Sequence, residues 1–219
     1  MLETLTDVEA RVLGSLVEKQ LTTPEYYPLT LNALTAACNQ KSNRDPVVAY
    51  DDTTITGAVD TLRDKNLVYL FYGSNSRAVK YKHMLPSVYE LEPGGVAIVA
   101  VLLLRGPQTL GELRERTGRL YEFSGMGEVQ ETLDGLMRRD DPLIVKLERQ
   151  AGQKEARYAH LLCGEVEQRV AALAVRESGG VAVAGKNDRI ENLEAQIETL
   201  RNEFASLSET FEEFRKQFE

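Results

Sequence analysis

The stretch KYKHML at residues 80–85 has a counterpart in RYAHLL at residues 157–162. A short aliphatic segment and a polar, glycine-containing turn come before each stretch, which predicts a two-stranded hairpin in each place. Ahead of each hairpin lie three segments whose apolar residues recur at helical spacing. Three helices followed by a two-stranded wing define the winged helix, a variant of the helix-turn-helix. The repeat therefore predicts two winged helices in tandem.

The predicted fold class is α+β, mainly α, with two tandem winged-helix domains and a C-terminal coiled-coil helix. Residues 1–88 are expected to form the first domain and residues 89–165 the second. Residues 166–185 are expected to hold a helix and a glycine-rich linker, followed by a heptad coiled-coil helix at residues 186–219.

Local signals place several helix ends. Thr6 with Glu9, and Thr109 with Glu112, match the capping box, in which side chains satisfy the free backbone N–H groups of a first helical turn. Further helices are predicted at about residues 30–39 and 53–65, and another begins near Pro93 because proline suits a first turn. The aliphatic run at residues 96–104 is expected to be buried between the domains. Gly125 and Gly127 are expected to precede the third helix of the second repeat.

The C-terminal segment carries apolar residues in alternating steps of three and four, which is the heptad pattern of a coiled coil. A seam this narrow requires a partner helix, so we expect self-association, with folding back onto the chain as the alternative. The expected seam residues are Ile190, Leu193, Ile197, Leu200, Phe204, Leu207, Phe211, Phe214 and Phe218.

Charge, hydropathy and cysteine content limit the kinds of protein that this chain can be. The 219 residues carry a net charge of −8, and none of the three main segments is basic overall, which argues against strong non-specific DNA binding. The longest aliphatic run is about half of what a membrane span needs, and no signal peptide is apparent, so we expect a cytoplasmic protein without membrane contact. The two cysteines, Cys38 and Cys163, lack metal or redox spacing and are expected to be buried.

No catalytic constellation is apparent in the sequence. The only two histidines, His83 and His160, fall at equivalent repeat positions, which favours a shared structural role. No nucleophile elbow, phosphate-binding loop or metal-ligand spacing is present. We therefore expect no enzyme activity, no cofactor and no metal.

The two predicted recognition helices differ in charge. The outward face of the second offers Glu128, Glu131 and Asp134, which would meet phosphates and acceptor-rich base edges badly. The first offers small hydroxyl side chains, with basic residues on either side of it, so it is the expected DNA contact; ordinary solvated loops are the alternative. The expected DNA-binding residues are Lys41, Arg44, Thr53, Thr54, Thr56, Arg63, Arg77, Lys80 and Lys82.

Residues 22–34, TTPEYYPLTLNAL, and residues 38–46, CNQKSNRDP, resemble the signature of the YceH-like family of bacterial proteins. The resemblance continues through RDKNLV at residues 63–68 and the second repeat to about residue 165; the tail lies outside it. It implies a tandem winged-helix fold of the bacterial cytoplasm and no established activity. The family-typical residues are Tyr26, Tyr27, Cys38, Asn39, Gln40, Lys41, Arg44, Asp45 and Pro46.

The polar loop within this signature is longer than an ordinary helix-turn-helix turn. Lys41, Asn43 and Arg44 beside Tyr26 and Tyr27 suggest a clasp for an anion or nucleotide. The alternative is a loop held by its own hydrogen bonds.

The leading functional hypothesis is a DNA-binding protein of transcription-regulator type, in which the first winged helix contacts double-stranded DNA. The alternative is a protein-interaction or scaffold module that uses the winged helices and the coiled coil without DNA. A third hypothesis is a regulator gated by a small molecule near Tyr26, Tyr27 and Arg44. Self-association or a protein partner is expected through the C-terminal helix.

Overall fold

The computed structural model describes residues 4–72, 78–149 and 155–164. The predicted heptad helix, its seam residues and Arg77 lie outside these ranges. The described part is an α+β fold, mainly helical, with seven α-helices and two small antiparallel sheets. None of its helices is long and apolar enough to cross a membrane.

The first half contains three helices and a three-stranded sheet. A single 3-10 turn at Pro24–Tyr26 follows the first helix. The elements are α1 (Asp7–Thr22), β1 (Leu29–Thr30), α2 (Leu31–Cys38), α3 (Asp52–Asp64), β2 (Val68–Phe71) and β3 (Lys80–His83).

The second half repeats this order after a short connecting helix, α4 (Leu85–Tyr89). Its elements are α5 (Pro93–Arg105), β4 (Gln108–Thr109), α6 (Leu110–Thr117), α7 (Met126–Met137), β5 (Ile144–Lys146) and β6 (Arg157–His160).

The two sheets share strand order and register. The first has the order β1-β3-β2 and the second β4-β6-β5, with all strands antiparallel. Val68 lies opposite His83 in the first sheet, as Ile144 lies opposite His160 in the second. Both histidines are buried, so the repeat seen in the sequence is a repeat of backbone pairing as well.

The predicted helix starts are confirmed at both capping boxes. The Thr6 hydroxyl accepts from the Glu9 N–H while the Glu9 carboxylate accepts from the Thr6 N–H, and Thr109 and Glu112 do the same at α6.

Two predictions at element ends are wrong. The strand that was expected to reach residue 85 ends at His83, because Leu85 and Pro86 begin α4. Gly127 lies inside α7, which begins at Met126.

The core joins the two halves, because α1 packs against α5. Eleven consecutive residues of α5, 94–104, are buried, as the aliphatic run predicted. Gly14 of α1 permits the close approach: a Cβ built there would lie 3.0 Å from Leu103 Cβ. The expected domain boundary at residues 88 and 89 falls within one compact unit, Met1–Val166.

The cysteines differ in burial. Cys38 is buried beneath α1, and burial raises the pKa of its thiol to about 11, which leaves it unreactive at neutral pH. Cys163 is only half-buried, so the expectation that both are buried is wrong for this residue.

Candidate nucleic-acid interface

Helix α3 presents one face to the core and the other to solvent. Asp51 caps it by accepting a 2.8 Å hydrogen bond from the Thr54 N–H, and hydrogen bonds with the Thr54 side chain and backbone lower the pKa of the Asp51 carboxyl. Its buried residues recur at helical spacing and comprise Ile55, Ala58, Val59 and Leu62. The opposite face is exposed, as a groove-reading helix requires.

The threonines expected to meet DNA lie on or beside this outer face. Thr53 is exposed, while Thr54 and Thr56 are half-buried. The Thr56 hydroxyl donates to the Asp52 carbonyl at 2.7 Å, so its proton is already committed to the helix backbone. Thr53 is therefore the most accessible of the three hydroxyls.

The cations near α3 are unequally available. Arg63 lies 3.0 Å from Asp60, with both side chains substantially exposed, and such a pair is easily exchanged for another anion. Lys65, in contrast, donates to the Glu9 carboxylate at 2.7 Å and to the Thr4 carbonyl at 2.9 Å. Burial raises the pKa of Glu9, but hydrogen bonds from Lys65 and Thr6 outweigh it and hold that pKa below its usual value.

The hairpin of the first sheet adds two lysines. Lys82 is exposed and Lys80 half-buried, and neither is ion-paired within the described ranges. In the register of the sheet, Lys82 lies opposite Tyr69 and Lys80 opposite Phe71. Directly opposed residues share one face of a sheet, so each lysine lies beside an aromatic ring.

Arg44 does not belong with these exposed cations, and its assignment as a DNA contact is corrected. Its side chain has no exposed area, and its guanidinium donates to Glu18 at 2.7 Å and to the Ala37 carbonyl at 2.8 Å. Reaching a phosphate would leave the Glu18 carboxylate buried without this partner. Arg44 is a structural residue that holds the loop after α2 against α1.

The same loop is fastened at several further points. Arg11 donates to the Cys38 carbonyl at 3.1 Å and to the Pro46 carbonyl at 2.7 Å. The Asn39 side chain pairs with the backbone of Tyr50 in both directions, at 2.7 and 2.8 Å. The hydrogen bonds of its own Asn and Arg side chains hold the loop, which agrees with the second of the two interpretations of the signature.

The loop also contacts the second half of the fold. The Asp45 N–H donates to the Leu104 carbonyl at 2.9 Å, and Arg105 donates to the Asn43 side chain at 2.9 Å. The family-typical stretch is therefore a structural connection between the two halves.

The structure does not support the small-molecule clasp proposed near the tyrosines. Tyr26 is exposed, whereas the Tyr27 hydroxyl accepts a 2.7 Å hydrogen bond from the His83 N–H. Burial raises the pKa of Tyr27, so it stays neutral. The guanidinium of Arg44 is committed to Glu18 and backbone carbonyls, and of the loop cations only Lys41 is exposed.

Two of the three carboxylates on the outward face of helix α7 have hydrogen-bond or ion-pair partners. The Glu128 carboxylate accepts from the Ser124 N–H at 2.7 Å, from the Ser124 hydroxyl and from the Tyr121 hydroxyl, and these bonds lower its pKa. Asp134 lies 3.5 Å from Arg138. Glu131 is exposed and has no such partner among the described residues. No cluster of metal-ligating side chains occurs within residues 4–72, 78–149 and 155–164.

A shallow groove runs between the start of α1 and the outer face of α3. Its volume is about 370 Å³ and its surface is mainly apolar. The lining residues are Thr6, Val8, Asp51, Thr53, Thr54, Gly57, Ala58 and Thr61.

Three exposed aromatic residues were missed in the sequence analysis. Tyr69, Phe71 and Tyr72 lie on or directly after β2, with exposed fractions of 51%, 45% and 69%. The aromatic residues at i and i+2 of a predicted strand were the available signal, because such residues share one face.

The amino-acid sequence is similar to that of a known protein family and of several bacterial proteins. Residues 5–153 match the family described as "Protein of unknown function, DUF480". The chain is 49% identical to a UPF0502 protein of Pelobacter propionicus over 216 residues, covering 98% of each chain. It is 55% identical to a UPF0502 protein of Opitutus terrae over 166 residues, covering 75% of this chain and 72% of the relative.

The chain therefore belongs to the DUF480/UPF0502 family of bacterial proteins, and the resemblance to the YceH-like family is confirmed. The similarity to the Pelobacter propionicus and Geobacter sulfurreducens proteins covers 98% of the chain and so extends beyond residue 165 into the heptad segment.

Proposed function

We propose that the chain is a tandem winged-helix protein of the bacterial cytoplasm that binds duplex DNA in the manner of a transcription regulator. The observation that carries the proposal is the order of elements around α3: two helices precede it, a β-hairpin follows it, and its outer face is exposed. In winged helices the third helix enters the major groove.

In this proposal Thr53 lies nearest the phosphates or base edges, and Arg63 exchanges Asp60 for a phosphate. Lys80 and Lys82 on the hairpin contact the backbone beside the groove, with Lys41 at the edge. The C-terminal heptads join two copies, because many helix-turn-helix proteins bind paired half-sites as dimers. No catalytic group or cofactor takes part.

The test is fluorescence anisotropy of the full chain with random-sequence duplex DNA across a salt series. Affinity that falls steeply with salt is expected, since each neutralised phosphate contributes about 0.9 to the log–log slope. K80A/K82A should weaken binding and lower the slope by about 2 units. Lys146 is exposed on the equivalent strand pair of the second sheet, so K146A is the matched control and should leave binding unchanged.

Failure to bind duplex DNA even at low salt would overturn this proposal. Equal binding by K80A/K82A and the wild-type chain would overturn the assigned surface.

A second candidate function is a protein-interaction module without DNA. Two observations favour it: the net charge of −8 and the mainly apolar groove beside α3. The G57R variant would fill this groove with a bulky cation, because nothing lies within 4 Å of a Cβ at Gly57. Loss of a partner captured by the wild-type chain, together with unchanged or stronger DNA binding, would favour this candidate over the first.

A further inference from the structure

The outer face of the first sheet combines aromatic rings with lysines. Tyr69 and Phe71 are two residues apart on β2, so their side chains lie on the same face. Lys82 and Lys80 lie directly opposite them on β3. The face therefore places two aromatic residues directly opposite two lysines.

This face is not covered by other parts of the described chain. Eight large hydrophobic residues are substantially exposed among the described residues, and two of them, Tyr69 and Phe71, lie next to each other on this face. Scattered exposed apolar residues are ordinary, but a contiguous group on one element marks a binding surface.

The fold itself does not require this composition. The equivalent register in the second sheet places Val145 opposite Ala159, where the first sheet has Tyr69 opposite Lys82. Ala159 is buried, so the second sheet has no comparable open face at that position. At this position the same backbone is therefore built with an aliphatic pair. The second sheet does place one lysine beside a ring, since Lys146 Nζ lies 5.8 Å from the centroid of Tyr158, but that ring is buried and cannot stack on a base.

We infer that this face binds single-stranded nucleic acid. Bases stack on Tyr69 and Phe71, and the neighbouring phosphates contact Lys80 and Lys82. Stacking platforms of this kind alternate rings that accept the faces of bases with cations that follow the backbone. The charge of the face supports an anionic occupant, since these lysines are without acidic partners among the described residues of an acidic protein.

The site shares Lys80 and Lys82 with the proposed duplex surface, but it adds the rings of Tyr69 and Phe71, which are not part of α3. Paired bases are already stacked in a helix and cannot lie on a sheet face unless they are unpaired. Aromatic substitutions should therefore change single-strand binding, while α3 substitutions such as T53A/R63A should change duplex binding. The two proposals can fail separately.

The experiment measures fluorescence anisotropy of the full chain with a labelled oligothymidine of about 15 nucleotides at low salt. A strand of the same length made of abasic residues provides phosphates without bases. We expect the oligothymidine to bind more tightly than the abasic strand. Y69A/F71A should lose at least tenfold in oligothymidine affinity, since each stacked base contributes a factor of about 5 or more.

Two variants serve as controls. Y69F/F71Y keeps both rings and should bind within about twofold of the wild-type chain. K146A removes an exposed lysine from the second sheet and should have no effect. Because about half of each ring is exposed, Y69A/F71A should stay folded and melt cooperatively at a temperature only modestly below that of the wild-type chain.

Three results would overturn the inference: no oligothymidine binding by the wild-type chain, equal affinity for the abasic strand, or unchanged affinity in Y69A/F71A. The first result, combined with binding of an acidic peptide that Y69A/F71A loses, would assign the face to a protein partner. Duplex binding that persists in Y69A/F71A while oligothymidine binding is lost would support a role of the two rings in binding single strands and not duplex DNA.

Discussion

The guanidinium of Arg44 lies 2.7 Å from the Glu18 carboxylate, and both side chains are almost completely removed from solvent. Arg119, from the second half, approaches the same carboxylate at 3.6 Å with its own side chain largely exposed. One buried carboxylate on α1 thereby holds the family-typical loop and contacts the second half. Arg44, which the sequence predicts as a DNA contact, is instead buried in the core.

The first prediction concerns this buried pair. E18Q should lower the free energy of unfolding by about 3–5 kcal/mol, because it leaves the Arg44 charge buried beside a neutral amide. Urea denaturation of the full chain, followed by circular dichroism, measures the change. D60N removes the exposed partner of Arg63 and is the control; it should cost less than about 1 kcal/mol. Equal stability of E18Q and the wild-type chain would contradict the structural role.

The second prediction concerns the crossing of α1 and α5. A Cβ at Gly14 would lie 3.0 Å from Leu103 Cβ, and a branched side chain would force the helices apart. G14V should destabilise the protein by about 1–3 kcal/mol. Gly57 of α3 has nothing within 4 Å of its built Cβ, so G57A should stabilise by about 0.5–1 kcal/mol through the helix propensity of alanine.

Thermal and urea unfolding of the two glycine variants measured side by side would test this contrast. A stable G14V would mean that the two helices do not approach as closely as described.

The third prediction is a pH dependence from His83. Burial, with a smaller contribution from the charge of Lys82, lowers the pKa of His83 to about 4, against 6.5 for an exposed histidine. Between pH 4 and pH 6.5 the His83 side chain is protonated in the unfolded chain and neutral in the folded chain. Stability should therefore fall as the pH drops from about 6.5 towards 4, by roughly 3 kcal/mol in total for this group.

Urea denaturation at pH 7.5 and pH 5 measures this effect. H83Q keeps a side-chain acceptor for the Leu85 N–H but does not titrate, so its loss of stability over the same interval should be smaller. Identical losses in the two proteins would show that other groups, such as carboxylates, account for the pH dependence.

The fourth prediction concerns the heptad segment, which lies outside the described residues. Removing residues 186–219 should reduce the mass in solution from that of an oligomer to that of a monomer, because an apolar seam two residues wide requires a partner helix. Light scattering of the full and shortened chains measures both masses. An unchanged mass would rule out oligomers formed through the tail.

The order and type of most elements follow from the local pattern of residues. The capping boxes at Thr6 and Thr109 depend on residues three apart, and the buried run of α5 depends on uninterrupted apolar composition, so both are local properties. The repeat predicted a hairpin in each half, but not the short strands β1 and β4 or the connecting helix α4.

Which charged residues are exposed, in contrast, depends on how distant parts of the chain pack together. Arg44 and Lys41 look alike in a polar loop, yet Arg44 is buried by Glu18 on α1 and Lys41 stays exposed. Tyr69 and Phe71 resemble ordinary strand residues, yet they are exposed because no other described element covers the face they share with Lys80 and Lys82. Burial depends on contacts between residues distant along the chain, which the local pattern of residues does not record.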